Sequence, residues 1–147
     1  WLIIIEQYGL KPSDICFELT ESALAPDKRN NELLFNQLRE AGCAIALDDF
    51  GTGYSSLSYL RRFPVDYIKI DKSFISDLST NKDDTVLVST IIAMSKSLGK
   101  KVVAEGVETK EQLQQLTELG CDYIQGYYFS KPLPSELIVS YLNGFKY

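Results

Sequence analysis

Short apolar runs alternate along the chain with longer stretches whose apolar positions recur every three to four residues. Residues 1–8 read as the end of a helix stopped by Gly9 and Pro12. Ile15 to Glu21 reads as a strand with acids at its exit, and Asn30 to Ala41 as a helix carrying Leu34, Leu38 and Ala41 on one face. Cys43 to Leu47 is the next strand, and Ser55 to Arg62 a short helix closed by Pro64. Val65 to Asp71 is a strand, Asp83 to Leu98 a helix ended by Gly99, and Lys100 to Glu105 a strand. Thr109 caps a helix running to Leu119, Cys121 to Gln125 forms the last strand, and Ser135 to Leu142 a final helix.

Strand and helix alternate five times, and the units echo one another. Leu38-Arg-Glu-Ala-Gly-Cys43 resembles Leu116-Thr-Glu-Leu-Gly-Cys121, and Asp66-Tyr-Ile-Lys69 resembles Asp122-Tyr-Ile-Gln125. Such repetition predicts a parallel sheet, open or closed into a barrel. In α/β barrels the chemistry gathers at the C-terminal ends of the strands. Those ends carry Glu18 and Glu21, Asp48 and Asp49, Lys69 and Asp71, Glu105, then Gln125. Side chains alternate faces along a strand, so an inward Asp48 places Ala46 and Ala44 inward and turns Ile45 and Leu47 toward the helices. An inward Lys69 likewise turns Ile68 and Ile70 outward.

Composition narrows the chemistry. A chain of 147 residues, 45% hydrophobic and 24% charged, is one globular domain's worth. A formal charge of -5 argues against broad binding to DNA, RNA or an anionic membrane. The absence of histidine excludes Ser-His-Asp and Cys-His catalysis and His-ligated zinc. Proton transfer falls to Asp, Glu, Lys, Tyr or metal-activated water. Cys16, Cys43 and Cys121 have no Cys-x-x-Cys spacing and read as buried thiols of a cytoplasmic protein. The apolar start Trp1-Leu-Ile-Ile-Ile is too short for a membrane span. Glu18, Asp48, Asp49 and Glu105 are candidate oxygen ligands for Mg²⁺ or Mn²⁺. Two such ions about 3.5–4 Å apart would suit an in-line phosphoryl displacement. The turn Gly51-Thr52-Gly53, with Ser55 or Ser56 capping a helix, would suit a phosphate.

Glu18-Leu-Thr-Glu21-Ser, Asp48-Asp-Phe-Gly-Thr-Gly-Tyr-Ser-Ser56, Ile68-Lys-Ile-Asp71, Ala104-Glu-Gly-Val-Glu108 and Gln125-Gly-Tyr resemble, in order and spacing, the EAL-domain cyclic di-GMP phosphodiesterases. The resemblance implies α/β architecture of the TIM-like (β/α)₈ barrel family and metal-dependent hydrolysis of cyclic di-GMP to linear pGpG. It implies that Glu18 and Asp48 hold one ion, Asp48 bridges to a second, and Asp49 and Glu105 contribute there. Lys69 would orient the nucleophilic water, and Glu105 would also act as a base. Glu21 would hold the loop after Asp49, with Asp71, Glu108 and Gln125 in support. Gly51, Thr52, Gly53 and Tyr128 are candidate substrate contacts; Tyr127 and Tyr128 read equally well as core aromatics.

The sequence also departs from that family. The Glu-x-Leu-x-Arg segment that names it is absent, as is the asparagine completing the first metal site; Asn30 and Asn31 open a helix instead. Residues 1–147 are therefore expected to form the C-terminal portion of one EAL domain, with about five βα units of an incomplete barrel. Alone it is expected to be catalytically silent, with open sheet edges inviting a homodimer or pairing with another chain. A non-cleaving cyclic di-GMP receptor and a protein-interaction module are the alternatives.

Overall fold

A computed structural model of the chain describes residues 2–20, 28–52, 60 and 64–144. Helix α1 (Leu2–Gln7) and a 3₁₀ turn (Pro12–Asp14) lead into β1, Cys16–Thr20. Helix α2 (Lys28–Glu40) precedes β2, Ala44–Phe50. Strand β3 (Tyr67–Ile70) runs into a short helix α3 (Lys72–Ser76), then α4, Lys82–Ser97. Strand β4 (Lys101–Ala104), α5 (Lys110–Glu118), β5 (Tyr123–Ile124) and α6 (Ser135–Gly144) complete the chain.

The strands form one parallel sheet in the order β1-β2-β3-β4-β5, so each crosses over to its immediate neighbour. Parallel neighbours need such crossovers, which lay helices against one face. That face is the hydrophobic core. Ile45, Leu47, Ile68, Ile70, Val102 and Ala104 are buried there with Phe35 and Leu38 of α2 and Val88, Ile91 and Ile92 of α4. Each branched side chain removed from water contributes roughly 2 kcal/mol. The opposite, concave face carries Cys16, Glu18, Ala44, Ala46, Tyr67, Lys69, Val103 and Gln125, which line a pocket of about 260 Å³. The alternation expected from period two holds.

Two sequence expectations shift. Strand β2 does not stop at Leu47 but continues to Phe50, because pairing resumes past an irregularity: Leu47 faces Ile68 and Phe50 faces Ile70. Helix α3 follows β3 without a sequence run long enough to announce it. Asp71 starts it, accepting from the Ser73 amide at 2.9 Å and the Ser73 hydroxyl at 2.5 Å. The helix expected over 55–62 lies outside the described residues except for Leu60, which is buried.

The Asp-Tyr-Ile repeat has a structural cause. Asp66 accepts from the Ile45 amide of β2 at 2.9 Å, and Asp122 from the Val102 amide of β4 at 3.0 Å. Each aspartate thus staples the start of its own strand to the strand before it. The following tyrosines, Tyr67 and Tyr123, meet edge to face with centroids 5.8 Å apart.

The sheet of described strands has two edges, β1 and β5. Ile3 and Ile4 of α1 are exposed, as are Leu137, Ile138, Val139 and Leu142 of α6. Cys43 is buried and Cys121 half-buried, but Cys16 is exposed, which corrects its reading as a buried thiol. It sits on the concave side of an edge strand, where none of the described strands pairs on its outer side.

Burial works against the charge of both Asp71 and Asp122, but their hydrogen bonds outweigh it and hold both below the usual carboxylate range. Their stabilisation is therefore complete above the unfolded value of about 3.9 and lost as pH falls through the lowered folded values. Asp122→Ala should cost about 1–2 kcal/mol at neutral pH, since the Val102 amide loses its acceptor. In urea titrations, its stability should also fall less steeply than the parent's between about pH 5 and 3.

Candidate active site

The functional candidates collect around one ammonium. Lys69 ends the concave row of β3 and is only 6% exposed. Its Nζ lies 2.8 Å from Glu18 Oε2 on β1, 3.2 Å from Asp48 Oδ1 on β2, and 2.7 Å from Glu105 Oε1 just past β4. An ammonium has three protons to donate, and three carboxylates accept them. Burial disfavours the charged lysine, yet the hydrogen bonds to Glu105 and Glu18, the charge of Glu105 and the bond to Asp48 outweigh it. The Lys69 pKa therefore stands well above the ordinary lysine value. In this arrangement Lys69 donates to the three carboxylates and neutralises part of their charge.

Local geometry explains how Asp48 and Asp49 share a strand exit. Between Leu47↔Ile68 and Phe50↔Ile70, the two aspartates of β2 oppose one residue, Lys69, of β3. This β-bulge breaks the strict alternation of faces, a device that re-aims side chains beside active sites. Asp49 pays for it with φ +55°, the left-handed region, which a short polar side chain tolerates better than most. Its amide donates to Asp48 Oδ1 at 3.0 Å, and its carbonyl accepts from the Thr52 hydroxyl at 2.9 Å. Asp49 itself is not among the ion partners of Lys69 in the described residues.

The other candidates take separate places. Asp71 caps α3 rather than joining the cluster. Glu108 is exposed, and its amide donates to Gln112 Oε1 at 2.8 Å. Gln125 lines the concave pocket, and its backbone pairs with Ala104 and Val107. The Tyr128 amide donates to the Val107 carbonyl, while the residue is 39% exposed and its ring meets Phe129 edge to face. Gly51 turns the chain after β2 at φ +102°. Glu21 and Gly53 lie outside the described residues.

Among the described residues, no group of three Asp, Glu or Cys is placed to enclose a metal ion by itself. The expected convergence of four acids is instead a convergence of three on Lys69, because carboxylates so close need a positive charge between them. The donor set nevertheless fits a divalent cation: hard carboxylate oxygens from neighbouring strands, gathered around a single centre of positive charge. Gln112 closes a capping box with Thr109 at the start of α5. Its side chain also reaches the Ile75 and Ser76 carbonyls of α3, which only the packing reveals.

The EAL domain family model matches residues 1–132. The chain belongs to the EAL domain family. The cyclic di-GMP phosphodiesterase NbdA of Pseudomonas aeruginosa is 46% identical over 97% of this chain, which spans 18% of NbdA. Among solved EAL structures, the MucR phosphodiesterase of the same organism, in complex with c-di-GMP, superimposes with a TM-score of 0.87 at 43% identity. That match covers 91% of this chain and 54% of the other. Klebsiella pneumoniae BlrP1, as a manganese and cyclic di-GMP complex, gives a TM-score of 0.84 at 36% identity, covering 89% of this chain and 33% of BlrP1. The described EAL sheet thus corresponds to part of a TIM barrel. None of its described helices is long and apolar enough to cross a membrane.

Lys69→Met should destabilise the chain by about 3 kcal/mol, because it leaves acidic neighbours without their counter-charge. Added Mn²⁺ should restore more of the melting temperature in this variant than it adds to the parent, as read by differential scanning fluorimetry.

Proposed function

We propose that this chain carries acid and lysine residues of a metal-dependent cyclic di-GMP phosphodiesterase site. The observation that supports this most is the meeting of Glu18, Asp48 and Glu105 from three strand exits on Lys69. The names and ligands of the relatives point the same way. Glu18 and Asp48 would hold one Mg²⁺ or Mn²⁺, with Asp48, Asp49 and Glu105 serving a second. When bound, such ions supply Lewis acidity toward a phosphoryl oxygen and an attacking water.

The chain's own residues do the remainder. Lys69, once a carboxylate turns toward metal, has an N–H free to orient water and to stabilise negative charge on the phosphoryl group. A carboxylate such as Glu105 accepts the proton released by that water. Hydrolysis opens one phosphodiester bond and leaves linear pGpG. The Gly51-Thr52-Gly53 turn and Tyr128 are placed in this reading as contacts to phosphate and base. The open edges at β1 and β5 would pair with further strands of a barrel or with a second copy, and the setting is the cytoplasm. The five-stranded sheet by itself is proposed to be silent, since Glu18 on the open edge strand has a side chain 52% exposed.

The test is a chimera in which this chain replaces the corresponding part of the MucR EAL domain, assayed with cyclic di-GMP and Mn²⁺ by chromatography of pGpG. The chimera should turn over, and Asp48→Asn or Glu105→Gln should each reduce the rate at least about 100-fold. A folded chimera that binds cyclic di-GMP and leaves it uncut would replace this reading with that of a receptor. Turnover by the 147-residue chain alone would remove the proposed silence.

A further inference from the structure

Helix α3 touches the backbone just past each of the two acid-bearing strand exits that flank Lys69. On one side, the loop after β2 rests on it: a Cβ added at Gly51 would lie 2.9 Å from the Phe74 ring. On the other, the loop after β4 passes so close that a Cβ at Gly106 would lie 2.5 Å from Lys72 Cβ. Both glycines have positive φ, +102° and +70°, so these close approaches are built into the backbone. Asp71 fixes the start of the helix directly after β3.

The far end of α3 is held by Gln112, which is 5% exposed and fully committed. Its Oε1 accepts from the Glu108 amide at 2.8 Å and the Thr109 amide at 3.0 Å. Its Nε2 donates to the Ile75 carbonyl at 3.0 Å and the Ser76 carbonyl at 3.3 Å. One buried amide therefore ties the segment following Glu105 to the same five-residue helix that supports the turn after Asp48 and Asp49. Four satisfied hydrogen bonds at one buried side chain define a single arrangement, because breaking any of them strands a polar group away from water.

We propose that α3 is a strut coupling the Asp48–Thr52 turn to the Glu105–Thr109 loop, with Phe74 and Gln112 as its positioning residues. Neither touches the carboxylates or Lys69 in this role. They set how far the strand exits carrying Asp48 and Glu105 stand apart across Lys69. The consequence for catalysis rests on the phosphodiesterase reading, whereas the coupling itself does not.

The experiment is hydrogen–deuterium exchange on the metal-free 147-residue chain, with segments in β1 and α4 as internal references. Phe74→Ala should speed exchange about tenfold in 47–52, which it touches, and also in 104–109, which it does not. Gln112→Met should do the converse, and the double variant should add little to either alone. Gln112→Glu keeps acceptors for the Glu108 and Thr109 amides but cannot donate to Ile75 and Ser76. It should therefore loosen 47–52 as Gln112→Met does while leaving 104–109 closer to the parent. Phe74→Leu replaces Phe74→Ala if the latter fails to fold. Effects confined to the touched loop, or an equal rise in the reference segments, would overturn the strut. Manganese titration by electron paramagnetic resonance on the MucR chimera should show about tenfold weaker binding when it carries Gln112→Met. A parent chimera that binds no Mn²⁺ counts against the phosphodiesterase reading, and exchange still decides the coupling.

Discussion

Three carboxylates from β1, β2 and the exit of β4 stand within hydrogen-bonding distance of one lysine on the strand between them. Like charges gathered this closely repel one another, and the ammonium between them offsets that repulsion, so the strand order is matched to the charge order. Lys69 occupies β3, in the middle of the sheet, where neighbours on both sides can reach it. Small side chains beside it make this workable: Ala44 and Ala46 on β2 leave the concave face open where bulkier residues would fill it. The outward residues of the same strands, Ile45, Leu47, Ile68 and Ile70, fill the core and hold the strands in register.

The site departs from regular sheet geometry at one point. The bulge at Asp48 and Asp49 spends a left-handed residue to bring two consecutive acids to one strand exit. Such a local conformation persists when its surroundings over-determine it. Here those surroundings are the Thr52 bonds to the Asp49 carbonyl, the renewed pairing of Phe50 with Ile70, and the ring of Phe74 beneath Gly51. The acid pair and the short helix after β3 are thus parts of one construction.

Family membership and the exposed margins of the sheet describe the same object from two sides. The chain spans 54% of the MucR chain it superimposes on and 33% of BlrP1. Its described strands form an open sheet whose edges, β1 and β5, carry the exposed Cys16 and Tyr123. Glu18, on one of those edges, is the most exposed of the three acids around Lys69.

Much of this was written in local pattern. Alternating apolar residues determined which face of each strand meets the helices, since the side-chain period of a strand is fixed by backbone geometry. Gly99 marked a helix end, and the recurrent Asp-Tyr-Ile fell where the folded strands prove to be stapled to their neighbours. Charged residues at strand exits named Glu18, Asp48, Lys69 and Glu105 as a group. Distances between residues far apart in sequence were not legible, because they depend on register and twist rather than on composition. Only the folded sheet decided that Lys69 stands between the acids, that Asp49 stays out of that contact, and that Cys16 remains open on an edge. Gln112 is the sharpest case: its bond to Thr109 is local, but its grip on Ile75 and Ser76 spans 37 and 36 residues, a reach that only tertiary packing creates.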